Sequence, residues 1–435
     1  MKSKLCVVKS LAIFCVMLFL FSSCSLQKKI AKEAEQSILN DAHLSTAHIG
    51  IVVYNPSQKK YLYSYQGEKY FIPASNTKLF TCYAAMKYLG DSLTGIRYVN
   101  KGNGIIEVEA NGDPTFLHPD FKNQLVFNFL QSQQKILLTD ENWKENSLGL
   151  GWAWDDYNDD YMAERSVMPI YGNVLSFNAE GKPFVPFFEN RIINNTSSYQ
   201  FSIKRAIAAN KFETISSAKN FEVTNIPFYT NEKDILTNLL KDTLHTNVEQ
   251  VHFKIDRWPD VLKMHSQPTD SVLKIMMHRS DNFFAEQSLL MVSNELLGVM
   301  NDEKIIDTLL QTDYKELPQK PKWVDGSGLS RYNLISPKDF VFVLEKMQNE
   351  FQWNRIANIL PTANEGTLKG LYKNYVGKIF AKTGSLSNNI SLSGYIITNK
   401  KHRYIFSVLI NNHQSSTMII RKDIEKFITA IIEKY

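Results

Sequence analysis

The chain has 435 residues, 44% hydrophobic and 12% aromatic, which is enough for two or three domains with real cores and excludes a disordered or fibrous protein. Of its formal charge of +5, three units come from Lys2, Lys4 and Lys9, so the part from Cys24 onward carries only +2. That balance, with no basic run, gives no nucleic-acid partner.

Those three lysines precede an apolar run from Leu11 to Phe21 that closes on Ser22-Ser23-Cys24. A basic start, a short apolar stretch and small residues before a cysteine make a lipoprotein-type signal peptide over residues 1–23, with Cys24 as the lipidation site. The run is shorter than the roughly 20 residues a bilayer-spanning helix needs. An uncleaved anchor and ordinary secretory cleavage are the alternatives. Cys6 and Cys15 lie in the leader, so Cys82 is the one thiol left in the folded part, and stability must come from packing rather than an internal disulfide. Its apolar helical context reads as core.

Beyond the leader, residues 27–39 read as a charged amphipathic helix. Ile49 to Tyr54 and the alternating Tyr61, Tyr63 and Tyr65 then form a hairpin around Asn55-Pro56-Ser57. Pro73-Ala74 leads into Ser75, after which Leu79, Phe80, Cys82, Tyr83, Met86 and Leu89 recur at helical spacing until Gly90. Ser75 therefore opens a helix, where backbone amides favour developing negative charge, and Lys78 lies one turn away on the same face. An N-cap serine and a surface lysine would be the structural reading of the same pair.

From residue 96 to 264 the pattern changes to short strand-like runs, aromatic clusters and turns, read as an inserted β-rich region of one or two subdomains. Its acidic stretch, Asp155, Asp156, Asp159 and Asp160, lacks the glycine and terminal glutamate of a calcium loop and reads as a solvated surface, so no metal is expected. Trp152 and Trp154 can contact a glycan or peptide, although aromatic residues in such a region are more often core. Helical periodicity returns at Val272 to Met277, breaks at His278 to Asn282 and resumes from Phe283, which places Ser280 and Asn282 on a turn between helices with Asp281 in a capping role. A strand then leads into Lys382-Thr383-Gly384-Ser385, two more strands cover Leu392 to Thr398 and Tyr404 to Ile410, and an amphipathic helix from Met418 to Ile432 closes the chain. Residues 24–95 with 265–435 thus form a discontinuous α+β domain, an antiparallel sheet flanked by helices, with residues 96–264 inserted.

Ser75-Asn76-Thr77-Lys78, Ser280-Asp281-Asn282 and Lys382-Thr383-Gly384 are each weak alone, but their order and local contexts point together to a serine acyl-enzyme. The chain resembles the penicillin-recognising enzymes with the β-lactamase/DD-peptidase-like fold. Within them it resembles the class C low-molecular-mass penicillin-binding proteins, the D-alanyl-D-alanine carboxypeptidase/endopeptidase family like penicillin-binding protein 4 (peptidase family S13). Supporting strings are Asn111-Gly112-Asp113-Pro114-Thr115, Asp325 to Arg331, Leu360-Pro361 before Gly366-Thr367-Leu368, and Lys382 to Leu386. The long gap between Ser75 and Ser280 agrees with the insertions such proteins carry. Asn111 stands where a glycine is usual, and Ser385 where threonine is common.

The resemblance implies cleavage of D-Ala-D-Ala ends or D-Ala cross-links of peptidoglycan stem peptides, with β-lactams as covalent inhibitors and no cofactor. It implies Ser75 as nucleophile and Ser280 as proton relay to the leaving amine. Asn282 would hold the substrate amide, Lys382, Thr383 and Ser385 would lie along the substrate with Lys382 and Ser385 on its carboxylate, and Gly384 would permit close approach. Lys78 is the nearest base, although the resemblance leaves open which lysine serves. A cell-envelope or periplasmic site, anchored to the membrane through Cys24, follows from the leader. A serine β-lactamase and an inert peptidoglycan-binding lipoprotein are the competing readings. For Asp325, Ser327 and Arg331 a glycine-rich turn packing the site wall is the simpler reading.

Overall fold

The computed structural model describes residues 26–178, 180–195, 202–215, 223–253 and 260–435. The leader and Cys24 lie outside them. Among the described residues no helix is long and apolar enough to cross a membrane. The chain divides into two compact units, one built from residues up to 76 with 317–321 and 334–435, the other from 77–316 with 322–333.

The first unit is a five-stranded antiparallel sheet in the order Ile379–Leu386, Asn389–Ile397, Arg403–Asn411, His48–Asn55 and Lys60–Tyr65. The central strands are buried along almost their whole length, so their β-branched runs face helices on both sides. One such helix, Thr417–Lys434, buries Ile420, Ile424, Phe427, Ile428, Ile431 and Ile432, a stripe at steps of three and four. Ile51, Val53, Phe406 and Val408 of the sheet lie in the same core, together with Ile30, Ala34 and Ile38 of the N-terminal helical segment 26–39. Each of the isoleucine, valine and phenylalanine side chains contributes about 1.5–3 kcal/mol on burial. The Pro337–Glu350 helix packs on the sheet as well, with its start fixed by a capping box between Ser336 and Asp339 and its Leu344 carbonyl accepting from Tyr395 Oη at 2.6 Å.

The second unit combines a helical cluster with β-rich layers. The Lys78–Tyr88 helix packs against Asn282–Leu297 and Thr269–Arg279, and Cys82 is fully buried among them, as its context implied. The sequence between the first helix and the others forms a five-stranded mixed sheet in the order Asn247–Gln250, Lys135–Thr139, Ile105–Ala110, Ser92–Gly102 and Leu262–Pro268. A two-stranded and a three-stranded sheet accompany it. This stretch also holds a helix, Ile235–Leu244, where strand-like runs were expected, and it buries Ile235, Leu239, Leu240 and Leu244. Left-handed residues bound it, Asp234 and His245 rather than glycines, so the usual punctuation was missing.

Candidate active site

Ser75 sits in a 3-10 turn, Ala74–Thr77, that runs directly into the Lys78–Tyr88 helix. Within the first unit this turn is tied to the edge strand Ile379–Leu386. The Asn76 amide nitrogen donates to the Lys382 carbonyl at 2.8 Å and its oxygen accepts from Ser393 Oγ at 2.7 Å. Ser391 Oγ donates to the Pro73 carbonyl at 2.7 Å. Gly384 lies in the seam so formed: a Cβ there would stand 2.2 Å from Ser391 Oγ and 2.7 Å from the Pro73 carbonyl oxygen. No other residue type fits without moving the backbone.

The same strand carries the rest of its motif in order. Lys382 is fully buried and its Nζ donates to the Thr383 carbonyl at 2.7 Å, whereas Ser385 is exposed and its Oγ accepts from Arg421 Nη2 at 3.1 Å. Ala381 N–H points out of the sheet to the Pro361 carbonyl at 3.0 Å. By the alternation of an antiparallel ladder, the N–H groups of Thr383 and Ser385 turn to the same outer edge.

The second unit holds Lys78, Ser280 and Asn282. Lys78 is fully buried, and its Nζ donates to Asn282 Oδ1 at 2.6 Å and to the Ser327 carbonyl at 2.8 Å. Burial pushes its pKa down to about 8, against the charges of Asp325, Glu286 and Asp281, which pull it up. The expectation of a plain surface lysine is excluded. Ser280 ends the Thr269–Arg279 helix in the left-handed region, φ 63°, and Asn282 begins the next helix. Asp281 caps that helix by accepting from Phe284 N–H at 2.9 Å, the role its place implied. The Asn282 amide nitrogen donates to the Tyr161 carbonyl at 2.9 Å, so a residue of the β-rich stretch orients it.

Asp325 builds the turn behind Lys78. It is fully buried and accepts from the N–H groups of Gly328 and Ser330, from Asn333 Nδ2 and from Trp152 Nε1, at 2.6–3.0 Å. The simpler reading of this string, a structural turn, is what the second unit contains. Trp152 is thereby a structural residue, while Trp154 is 73% exposed and not core. Asn111, in the glycine's usual place, is buried in a polar knot, accepting from Arg97 at 3.0 Å and donating to the Thr94 carbonyl at 2.7 Å. Sequence reasoning passed over Asn76, Glu286 and Arg165. Asn76 stood inside the first motif without a role of its own, and Glu286 left a signal, an acid one turn after Asn282 in a helix with no basic residue and one other acid, Glu295.

Residues 31–431 match the D-Ala-D-Ala carboxypeptidase 3 (S13) family, and the chain belongs to it. The D-alanyl-D-alanine carboxypeptidase DacB of Haemophilus influenzae is 23% identical over 421 residues, 86% of this chain and 87% of that protein. The D-alanyl-D-alanine carboxypeptidase of Actinomadura sp. is 25% identical over 451 residues, covering 90% and 83%. The crystal structure of penicillin binding protein 4 (dacB) from Haemophilus influenzae superposes with a TM-score of 0.70 at 21% identity, over 92% of this chain and 97% of that one, a likeness of fold.

Proposed function

We propose that the protein is a penicillin-sensitive serine peptidase that cleaves D-Ala-D-Ala ends or D-Ala cross-links of peptidoglycan stem peptides through an ester on Ser75. The observation that carries this reading is Lys78: a buried amine, one helical turn from a half-buried serine, with a pKa lowered to about 8. At pH 7 about a tenth of such an amine is neutral and able to take the serine proton.

Ser75 Oγ attacks the carbonyl of the penultimate D-Ala as its proton passes to Lys78, and the negative charge that develops on the carbonyl oxygen is met by backbone N–H groups of Ser75 and Ser385. The outward turn of the Ser385 N–H supports that assignment, and losing one such donor typically costs about 3 kcal/mol in the barrier. Collapse of the tetrahedral species breaks the C–N bond, and Ser280 relays the proton held by Lys78 to the departing D-Ala nitrogen, which leaves Lys78 neutral again. Lys382 and Ser385 hold the carboxylate of the leaving residue, and Asn282 holds an amide of the stem peptide. Water then attacks the ester and restores Ser75. The leader supports an envelope location with Cys24 acylated and anchoring the protein to a membrane.

The test follows intact mass over time after adding benzylpenicillin to protein that starts after Cys24, with Ser75→Ala beside it. A slowly lost adduct on the Ser75 protein alone supports the reading. An adduct persisting on Ser75→Ala overturns the nucleophile, and rapid turnover of the drug points to a β-lactamase.

A further inference from the structure

Glu286 takes no part in the acyl transfer outlined above, yet like Asp325 it is a buried acid whose charge acts on Lys78. It lies one turn beyond Asn282 and is buried, where an unsupported carboxylate would be costly. Its support is specific. Oε1 accepts from the Ser327 N–H at 2.7 Å, and Oε2 accepts from Arg165 Nη1 at 3.3 Å. Ser327 is therefore gripped twice, its N–H by Glu286 and its carbonyl by Lys78 at 2.8 Å.

Arg165 does not belong to Glu286 alone. The same guanidinium meets Asp302 at 2.7 Å and Glu145 at 3.2 Å, and it lies over the Trp152 ring. Three carboxylates share one buried cation, so Glu286 is incompletely neutralised. Burial and the charge of Asp325 hold its proton on up to about pH 7, with Arg165 opposing and Asp302 assisting. The charges that act most strongly on Lys78 are Asp325, Glu286 and Asp281.

We propose that Glu286 is a positioning residue for acyl transfer: through Ser327 it fixes Lys78, and its charge governs how readily Lys78 releases its proton. The inference rests on Lys78 as the base. An ionised Glu286 holds the proton on Lys78. A Glu286 kept partly protonated by its crowded neighbours lets more Lys78 stand neutral. The share of Arg165 taken by Asp302 and Glu145 thus tunes the base from a distance.

The experiment measures the rate constant of acylation by benzylpenicillin against pH for the purified protein, Glu286→Gln, Asp302→Asn and Lys78→Gln. Gln keeps the acceptor for Ser327 but removes the charge, so the rising limb of the profile should move down by about one pH unit. Asp302→Asn leaves more of Arg165 to Glu286, which then ionises more easily, so the limb should move up. A merely structural role lowers rates or melting temperatures without moving either limb, and unmoved limbs, or shifts of the same sign, overturn the inference. Should Glu286→Gln fail to fold, Asp302→Asn decides alone, and no upward shift rejects it. Near-normal acylation by Lys78→Gln removes the base reading itself, an outcome distinct from unmoved limbs with an inert Lys78→Gln.

Discussion

Lys78 and Asn282, 204 residues apart in sequence, meet at 2.6 Å. The direction of that bond is fixed, because the other end of the Asn282 amide is committed to the Tyr161 carbonyl at 2.9 Å. The amide oxygen must face the amine, where it accepts a proton bond without adding a charge.

Asn282→Asp would place a full negative charge on that spot. A carboxylate beside a buried amine raises its pKa by about 1–3 units. Labelling by a fluorescent penicillin at pH 7 should then slow about tenfold or more and recover toward alkaline pH. An unchanged rate at pH 7 would show that Lys78 is not the group whose deprotonation limits acylation.

The unaltered protein should acylate faster as pH rises. Lys78 is depressed from its ordinary value to about 8, so its neutral fraction grows nearly tenfold per pH unit below 8 and levels above it. Folding stability should follow the same sign: the folded state releases this proton more readily than the unfolded chain, so the lysine's contribution improves from about pH 8 toward its unfolded value. Stopped-flow acylation between pH 6 and 9 checks the first statement.

Gly384→Ala should abolish labelling and lower the melting temperature. The added carbon meets Ser391 Oγ at 2.2 Å and the Pro73 carbonyl at 2.7 Å, and overpacking of this kind costs about 1–3 kcal/mol. Adding Ser391→Ala relieves only the hydroxyl clash, so calorimetry should show partial recovery of stability, with labelling still lost because the Pro73 contact remains.

Asp325→Ala orphans two buried backbone N–H groups and the Trp152 indole N–H, and takes one of its partners from the Asn333 amide. At about 1–3 kcal/mol for each unsatisfied buried group, the loss should exceed about 3 kcal/mol in urea unfolding. A loss under about 1 kcal/mol would mean that the turn stands without its carboxylate.

Cys24→Ala should move the protein from the membrane fraction to the soluble fraction and remove labelling by a fatty acid. Unchanged partitioning of the variant would reject lipidation at this cysteine.

The elements that carry the motifs were legible because each motif lies at a sharp change of pattern. Ser75 stands where Pro73-Ala74 gives way to helical spacing, Ser280 and Asn282 where that spacing breaks, and Lys382 to Ser385 in a strand followed by two more. What stayed hidden depends on partners distant in sequence. Arg165 reads as one arginine in a polar stretch, and its bond to Glu286, 121 residues away, leaves no local trace. The Ile235–Leu244 helix was hidden for a different reason, a short apolar period without the glycine or proline that would have marked its ends.

Arg165 belongs to the stretch between the first two motifs, yet besides Glu145 of that stretch its charge serves Glu286 and Asp302 of the helices beyond it. Excising residues 96–264 to make a minimal enzyme would therefore strip the cation from two enclosed acids and remove the carbonyl that aims Asn282. A shortened descendant, engineered or evolved, would need neutral replacements at 286 and 302 and a new anchor for that amide before it could keep its chemistry.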